Sequence, residues 1–207
     1  MNDIRLRAVT DDDAPFLTFI MNTNAVLNAL NELPTQLEDW VCAIEEWQHD
    51  EDEEDYIICD GETTVGWLGI NHLESVDKKA YLKLAAILPE YQNQGIGFAA
   101  ISQIIEMLRQ RNYQKLALYT DLENHKARAC YQKCGFEVVE TFTEEMANGR
   151  TVARCMMGMV FDNDYIEPMG VVEANNELRT LEAQEKVEID YIQKKLLHYR
   201  ALVLPCQ

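Results

Sequence analysis

The sequence lacks any long apolar run, both at its start and further along the chain. Residues 1–7 do not contain the apolar core of a signal peptide. No stretch approaches the roughly eighteen apolar residues that a membrane-spanning helix needs. We therefore expect a soluble cytoplasmic protein that has no membrane partner.

Cysteine pairs of the kind that hold metals or build disulfide frameworks are also missing. The chain has 6 cysteines, and none of them forms a Cys-x-x-Cys pair. In the absence of a secretion signal, this pattern predicts reduced thiols. Cys130 and Cys134 lie one helical turn apart, but no second pair or well-spaced histidine completes a tetrahedral site. We expect these two to be packing residues and the protein to bind no metal.

Basic residues are scarce relative to acidic ones. Lys and Arg number 18 against 36 Asp and Glu, which gives a formal net charge of -18 at pH 7. Such a charge repels phosphate backbones, so we expect no nucleic-acid partner and favour a cationic one. Residues 50–55 form an unbroken run of carboxylates. We interpret this run as a solvated loop, and a rim that attracts a substrate is the alternative.

The remaining composition is typical of a folded globular domain. The 207 residues are 47% hydrophobic, which is enough for one good core. Alternating apolar residues predict a strand at residues 4–8, and Thr10 is expected to cap the helix that follows. A second helix should start at Pro34-Thr35 and precede the next strand. Its apolar side is predicted to consist of Trp40, Val41, Ile44 and Trp47.

The middle of the chain predicts three strands followed by a glycine-containing turn. Residues 56–59 and 65–73 flank the turn Asp60-Gly61 and predict a hairpin. The apolar run 81–88 predicts a central strand. Helical spacing from Phe98 onward then places the glycine turn between a buried strand and the start of a helix.

The last part of this domain follows the same logic. Residues 115–120 predict a strand, and residues 124–134 predict a helix that ends at Gly135. Residues 136–143 and 151–160 flank Asn148-Gly149 and predict a second hairpin.

A charged segment follows beyond Pro168, with apolar residues near helical spacing between 173 and 199. We therefore predict a domain at residues 1–162 and a helical extension at residues 163–207. The apolar stripe of the extension is too thin to fold alone. It should dock on its own domain or on a second copy in a homodimer, and the sequence leaves both alternatives open.

The glycine turn has the features of an anion site. A helix that begins directly after such a turn offers unpaired amides and the positive end of its dipole. Gly95 can adopt a positive φ, and Gln92 can tie the loop or contact a phosphate. A dinucleotide fingerprint is disfavoured, because its third glycine is Ala100 here and the chain begins with antiparallel strands. An ordinary connection between strand and helix is the remaining alternative.

Two motifs carry a family resemblance. The first is Leu88-Pro89-Glu90-Tyr91-Gln92-Asn93-Gln94-Gly95-Ile96-Gly97, and the second is Asn124-x-x-Ala127-x-x-x-Tyr131-x-x-x-Gly135-Phe136. With the opening Ile4-Arg5-Leu6-Arg7 and Asp12-Asp13-Ala14, they resemble the GNAT superfamily of acyl-coenzyme A dependent N-acyltransferases. The resemblance extends from about residue 4 to residue 161.

The resemblance implies an α/β (α+β) fold of the GNAT type. Its mixed, twisted central sheet should have about seven strands flanked by about four helices. The two central parallel strands, residues 81–88 and 115–120, are expected to splay apart around acetyl-coenzyme A.

The same resemblance implies roles for individual residues. Main-chain groups of Ile87 and Leu88 should contact pantetheine, and Asn124 should touch the same arm. Tyr131 should point its hydroxyl at the thioester sulfur and protonate the leaving thiolate. The amides implied to hold the pyrophosphate are those of Gln92, Asn93, Gln94, Gly95, Ile96 and Gly97. Phe98 and Ala99, in the first turn of the helix, should lie beside it.

The sequence has no carboxylate at the position where the family resemblance would place a general base. The strand position that holds a glutamate in some relatives is Tyr81 here, and the next strand offers Tyr119. His72, Glu74 and Asp77 are candidates, but each is better interpreted as a surface or hairpin residue. Family members without an obvious base use chains of water.

The leading hypothesis is therefore an N-acetyltransferase that moves an acetyl group from acetyl-coenzyme A to a primary amine by direct attack in a ternary complex. The acceptor is a small-molecule or peptide amine, and the acidic charge favours a cationic one. A catalytically idle coenzyme A binding or sensing module is one alternative. An interaction protein built on the same fold is another.

Overall fold

The computed structural model describes residues 3–146 and 148–161 of the chain. The predicted extension at residues 163–207 lies outside the described residues. The strands are β1 (Ile4–Ala8), β2 (Glu53–Asp60), β3 (Thr63–Asn71), β4 (Lys79–Ile87), β5 (Lys115–Asp121), β6 (Glu137–Glu145) and β7 (Thr151–Val160). The helices are α1 (Ala14–Met21), α2 (Asn24–Leu30), α3 (Leu37–Trp47), α4 (Ile96–Gln110) and α5 (His125–Lys133).

All seven strands form one mixed sheet in the order β1-β2-β3-β4-β5-β7-β6. Neighbouring strands are antiparallel except for β4 and β5, which are parallel. The predicted seven-stranded mixed sheet is therefore confirmed. The predicted hairpins are confirmed as well, since β2 pairs with β3 and β6 pairs with β7.

The sheet buries a core on each face. Ile58 and Leu68 belong to the core that contains the apolar side of α4. Their neighbours Ile57 and Trp67 belong to the core under α1 and α3. Because successive side chains of a strand point to opposite faces, this alternation places helices on both sides of the sheet.

Three helices, rather than the two predicted, separate β1 from β2. The additional helix is α2, which begins after Thr23, whose side chain accepts from the amide of Val26. Val26 is the residue of α2 that is buried, so the sequence carries almost no helical periodicity there. The predicted start at Pro34-Thr35 is also early, because the third helix begins at Leu37.

The apolar side of α3 differs from the prediction at one position. Trp40 and Ile44 are buried, whereas Val41 is 52% exposed. Five α-helices therefore accompany the sheet among the described residues, against the four expected.

The acidic run at residues 50–55 is not the solvated loop that the sequence predicted. β2 begins at Glu53, and Glu53 and Asp55 are only 3% and 7% exposed. Both carboxylates pair with Lys83 of β4. The prediction was wrong because the countercharge that permits their burial comes from a distant strand.

The burial of Asp55 has a consequence for stability. Burial raises the pKa of Asp55 to about 7, with Glu53 adding to the rise and Lys83 opposing it. The folded state thus binds the proton more tightly than the unfolded chain, where the ordinary pKa is 3.8. The free energy of unfolding should therefore decrease as pH rises from about 4 to about 7.

The Asp55→Asn variant tests this expectation by thermal melting between pH 5 and pH 7. The Tm of the wild type should fall across this range through the titration of Asp55, and the Tm of the variant should fall less steeply. Asp12→Asn is the matched control, because Asp12 is exposed. Equal slopes for wild type and Asp55→Asn would contradict the assignment.

Candidate active site

A cleft opens in the centre of the sheet where β4 and β5 separate. The two strands pair only from Lys79 and Lys115 to Tyr81 and Ala117. Beyond that point β4 remains paired with β3, and β5 remains paired with β7 as far as Asp121. The predicted splay of the central parallel strands is therefore confirmed.

The glycine turn, residues 92–97, lies beyond the end of β4. Residues Pro89–Tyr91 form a short 3-10 turn. Gly95 is then the N-cap of α4, with a φ of 82°. This left-handed conformation favours glycine. The first amides of α4 and the positive end of its dipole thus lie at the mouth of the cleft.

Two glutamine side chains tie this turn together. Gln92 donates from Nε2 to the carbonyl of Ile87 at 2.9 Å, and Gln94 donates from Nε2 to the carbonyl of Glu90 at 2.8 Å. Of the two roles considered for Gln92, the structure shows the one that ties the loop. The turn is therefore held in shape by its own side chains.

The two glycines of the turn serve different purposes. A Cβ added at Gly95 would meet nothing within 4 Å, so the space beside it is open. A Cβ added at Gly97 would lie 3.2 Å from Cδ1 of Ile87 and 3.5 Å from Sγ of Cys130. Gly97 thus allows the end of β4, the start of α4 and the helix α5 to approach closely.

Helix α5 packs beside the start of α4. Asn124 is its N-cap, and its Oδ1 accepts from the amide of Ala127 at 3.2 Å. Gly135, with a φ of 101°, follows the helix and ends it as predicted. The structure therefore gives Asn124 a capping role that the sequence motif did not specify.

Tyr131 projects from α5 as a half-buried phenol. Its ring packs edge-on against Phe136, with the centroids 6.0 Å apart. Burial raises the pKa of Tyr131 above its usual value of 10, and Cys130 and Cys134 raise it further. The hydroxyl is therefore protonated at neutral pH and can act as a proton donor.

The candidate bases occupy different places. Glu74 and Asp77 are exposed in the loop between β3 and β4, at the end where β4 and β5 are still paired. His72 lies edge-on to Tyr81 at 5.7 Å, and Tyr81 stacks on Tyr119 at 6.1 Å. The structure thus brings His72, alone of the three candidates, against the aromatic pair at the opening of the cleft.

A network of polar side chains that the sequence did not predict, called the polar latch below, connects the end of α2 with β5 and the last hairpin. Asn31, which is buried, donates from Nδ2 to Oδ2 of Asp121 at 2.6 Å and accepts from Arg150 at 3.3 Å. Arg154 joins the latch through Asp121 at 3.2 Å and Glu144 at 2.6 Å. Asn31 itself follows α2 in a left-handed backbone conformation, with a φ of 56°.

The described part of the chain contains no group of three or more His, Cys, Asp or Glu residues placed to hold a metal ion. The five cysteines within it are free thiols. In residues 3–146 and 148–161, no helix has both the length and the apolar character to cross a membrane.

The splayed mixed sheet and the glycine turn at the start of a helix define a fold of the acyltransferase class. The chain belongs to the acetyltransferase (GNAT) family, whose sequence model matches residues 22–136.

Two curated relatives match parts of the chain. An uncharacterized N-acetyltransferase of Methanocaldococcus jannaschii is 27% identical over 99 residues, which are 45% of this chain and 44% of that protein. N-alpha-acetyltransferase 30 of Schizosaccharomyces pombe is 29% identical over 58 residues, which are 28% of this chain and 39% of that protein. The chain therefore spans less than half the length of these relatives.

Solved structures share the fold over a longer stretch. A spermidine N-acetyltransferase of Vibrio cholerae in complex with CoA and spermine matches with a TM-score of 0.70 and 23% identity. The match covers 76% of this chain and 95% of that one. A dodecameric structure of spermidine N-acetyltransferase from the same organism has a TM-score of 0.66 at 22% identity, covering 80% and 98%. At these identities the likeness shows the fold.

Proposed function

We propose that this protein transfers the acetyl group of acetyl-coenzyme A to a primary amine by direct attack in a ternary complex. The observation that carries the proposal is the cleft itself. Its strands diverge after Tyr81 and Ala117, its mouth holds the N-terminus of α4, and Tyr131 projects from the adjoining α5.

The cofactor would bind along this cleft with its pyrophosphate at the start of α4. The amides of Gln92, Asn93, Gln94, Gly95, Ile96 and Gly97 would supply the donors, next to Phe98 and Ala99. Helix N-termini bind phosphates in this way because their first amides are unpaired and their dipole is positive. The open space beside Gly95 suits a diphosphate.

The pantetheine arm would then run between β4 and β5. Main-chain groups of Ile87 and Leu88 are the proposed partners along β4. Asn124 would reach the arm from α5 with its amide group, because its Oδ1 already caps the helix.

The reaction requires one proton donor and one proton acceptor. The nitrogen of a neutral amine attacks the thioester carbonyl, and the tetrahedral intermediate collapses with loss of the thiolate of coenzyme A. Tyr131 donates its proton to that sulfur, a role supported by its place on the helix that packs beside the glycine turn. The proton lost by the amine passes to water, because Tyr81 occupies the strand position where a carboxylate would serve. Water then returns a proton to the Tyr131 phenolate, which restores the enzyme.

The proposed acceptor is a cationic amine. The formal net charge of -18 attracts cations, and fold neighbours include spermidine N-acetyltransferases. The dodecameric neighbour supports the further proposal that this chain self-associates.

Two measurements test the proposed function. Isothermal titration should show saturable binding of acetyl-coenzyme A and coenzyme A to the full chain. A thiol-release assay over a panel of polyamines, aminoglycosides and peptides should show turnover with cationic amines and none with neutral analogues. Absence of binding would refute the acetyltransferase assignment, whereas binding without turnover on any amine would indicate the idle binding module.

A further inference from the structure

Lys83 is the extra residue of a β-bulge in β4. Leu82 and Leu84 pair with consecutive residues of β3, so Lys83 between them has no partner of its own in the ladder. A bulge bends its strand and increases the local twist. Lys83 follows closely after Tyr81, where the pairing with β5 ends. The bulge therefore lies where the cleft begins.

Two buried carboxylates hold the ammonium group of Lys83. Its Nζ bonds to Oε1 of Glu53 and lies 2.9 Å from Oδ2 of Asp55. Trp67 donates from Nε1 to the other carboxylate oxygen of Asp55 at 2.7 Å. The side chains of Glu53, Asp55 and Lys83 are 0%, 1% and 17% exposed. These ion pairs are thus shielded from water and from salt.

Two tryptophan rings and a glycine restrict the conformation of the Lys83 side chain. Its Nζ lies 4.2 Å from the centroid of the Trp47 ring and 5.6 Å from that of Trp67. A Cβ added at Gly69, which pairs with Leu84 across the ladder, would overlap Lys83 Cε and Asp55 Oδ1. The site is therefore built around one conformation of Lys83.

We propose that Lys83 is a positioning residue, whose anchoring to Glu53 and Asp55 holds the β4 bulge in the conformation that opens the cleft for pantetheine. A lysine paired with two fixed carboxylates has one favourable geometry, whereas an apolar side chain would allow the bulge to shift along the ladder. The inference rests on the proposed function, because it assigns pantetheine to the cleft.

The test separates the two halves of the cofactor. Coenzyme A spans the glycine turn and the cleft, whereas its fragment 3′-phospho-ADP reaches only the turn. Isothermal titration of Lys83→Met should show the Kd for coenzyme A raised by about tenfold or more, since misplaced contacts are costly. The Kd for 3′-phospho-ADP should stay within about twofold of wild type, because residues 92–97 hold their own shape.

A neutral variant keeps the test decisive. Lys83→Met leaves two carboxylates buried without a cation, which is strongly destabilising. The triple variant Glu53→Gln, Asp55→Asn, Lys83→Met removes all three charges at similar volume and should show the same selective loss of coenzyme A affinity. All three tryptophans of the chain pack together beside Lys83, so their fluorescence reports whether the cluster has rearranged.

A partly exposed ion pair on the other face of β2 provides the control. Arg111, which follows α4, donates to both carboxylate oxygens of Glu54, at 2.8 and 2.9 Å, on the face of β2 opposite to Glu53 and Asp55. The variant Glu54→Gln with Arg111→Met should bind both ligands as the wild type does.

Several outcomes would overturn the positioning role. They are wild-type affinity for coenzyme A in the folded triple variant, parallel loss of both ligands, and a triple variant that does not fold. If the wild type itself binds neither ligand, the proposed function fails as well, so the two failures are distinguishable.

Discussion

Replacing Tyr131 by phenylalanine should lower turnover by about 100-fold to 10,000-fold, the range in which general acid catalysis contributes. The affinity for acetyl-coenzyme A should hardly change, because the ring that packs against Phe136 is retained. The thiolate of coenzyme A would then have to leave without a proton from the protein. Steady-state kinetics together with isothermal titration separate the two effects.

Tyr56→Phe is a suitable control for this variant. The pKa of Tyr56 is also raised, first by burial and then by its hydrogen bond to Glu54. Its hydroxyl lies on β2 and donates to Glu54 at 2.6 Å, away from the cleft. Tyr56→Phe should therefore retain wild-type turnover. If Tyr131→Phe keeps it as well, Tyr131 is not the acid.

The variant Gly95→Asp should lose cofactor binding while it retains the fold. Space beside Gly95 is open, and aspartate tolerates its left-handed backbone better than most residues. The new charge would face the proposed pyrophosphate at close range. A repulsion of about 3 kcal/mol raises the Kd by more than about 100-fold.

Gly95→Asn isolates the effect of the charge. Asparagine has the shape of aspartate and the same tolerance of a positive φ, but it carries no charge. Its Kd for acetyl-coenzyme A should rise far less than that of Gly95→Asp, and thermal melting should show both variants folded. Equal affinities of the two variants would place the pyrophosphate elsewhere.

The glycine turn was predictable because its properties are local. The left-handed Gly95 and the end of α5 at Gly135 each depend on residues within one or two turns of chain. Short-range torsional preferences and capping therefore suffice to locate them. The roles of Tyr131 and of the turn amides remain predictions, since they depend on a cofactor.

Other parts of the site were not predictable, because they join distant segments. Asn31 meets Asp121 at a separation of 90 residues, and no local pattern signals this contact. Helix α2 was missed for a different reason, since it buries only Val26 among its seven residues. Its helical spacing is therefore too weak to detect.

The sequence by itself determined the order of the seven strands and the position of the turn between a buried strand and a helix. The spacing of apolar residues and the backbone conformation of Gly95 depend on neighbouring residues, so they can be inferred without knowledge of the tertiary structure. Only the tertiary structure decided which carboxylates of the acidic run at residues 50–55 are buried. Lys83 lies 30 residues from Glu53, and a carboxylate enters a core only when pairing of strands brings such a countercharge to it.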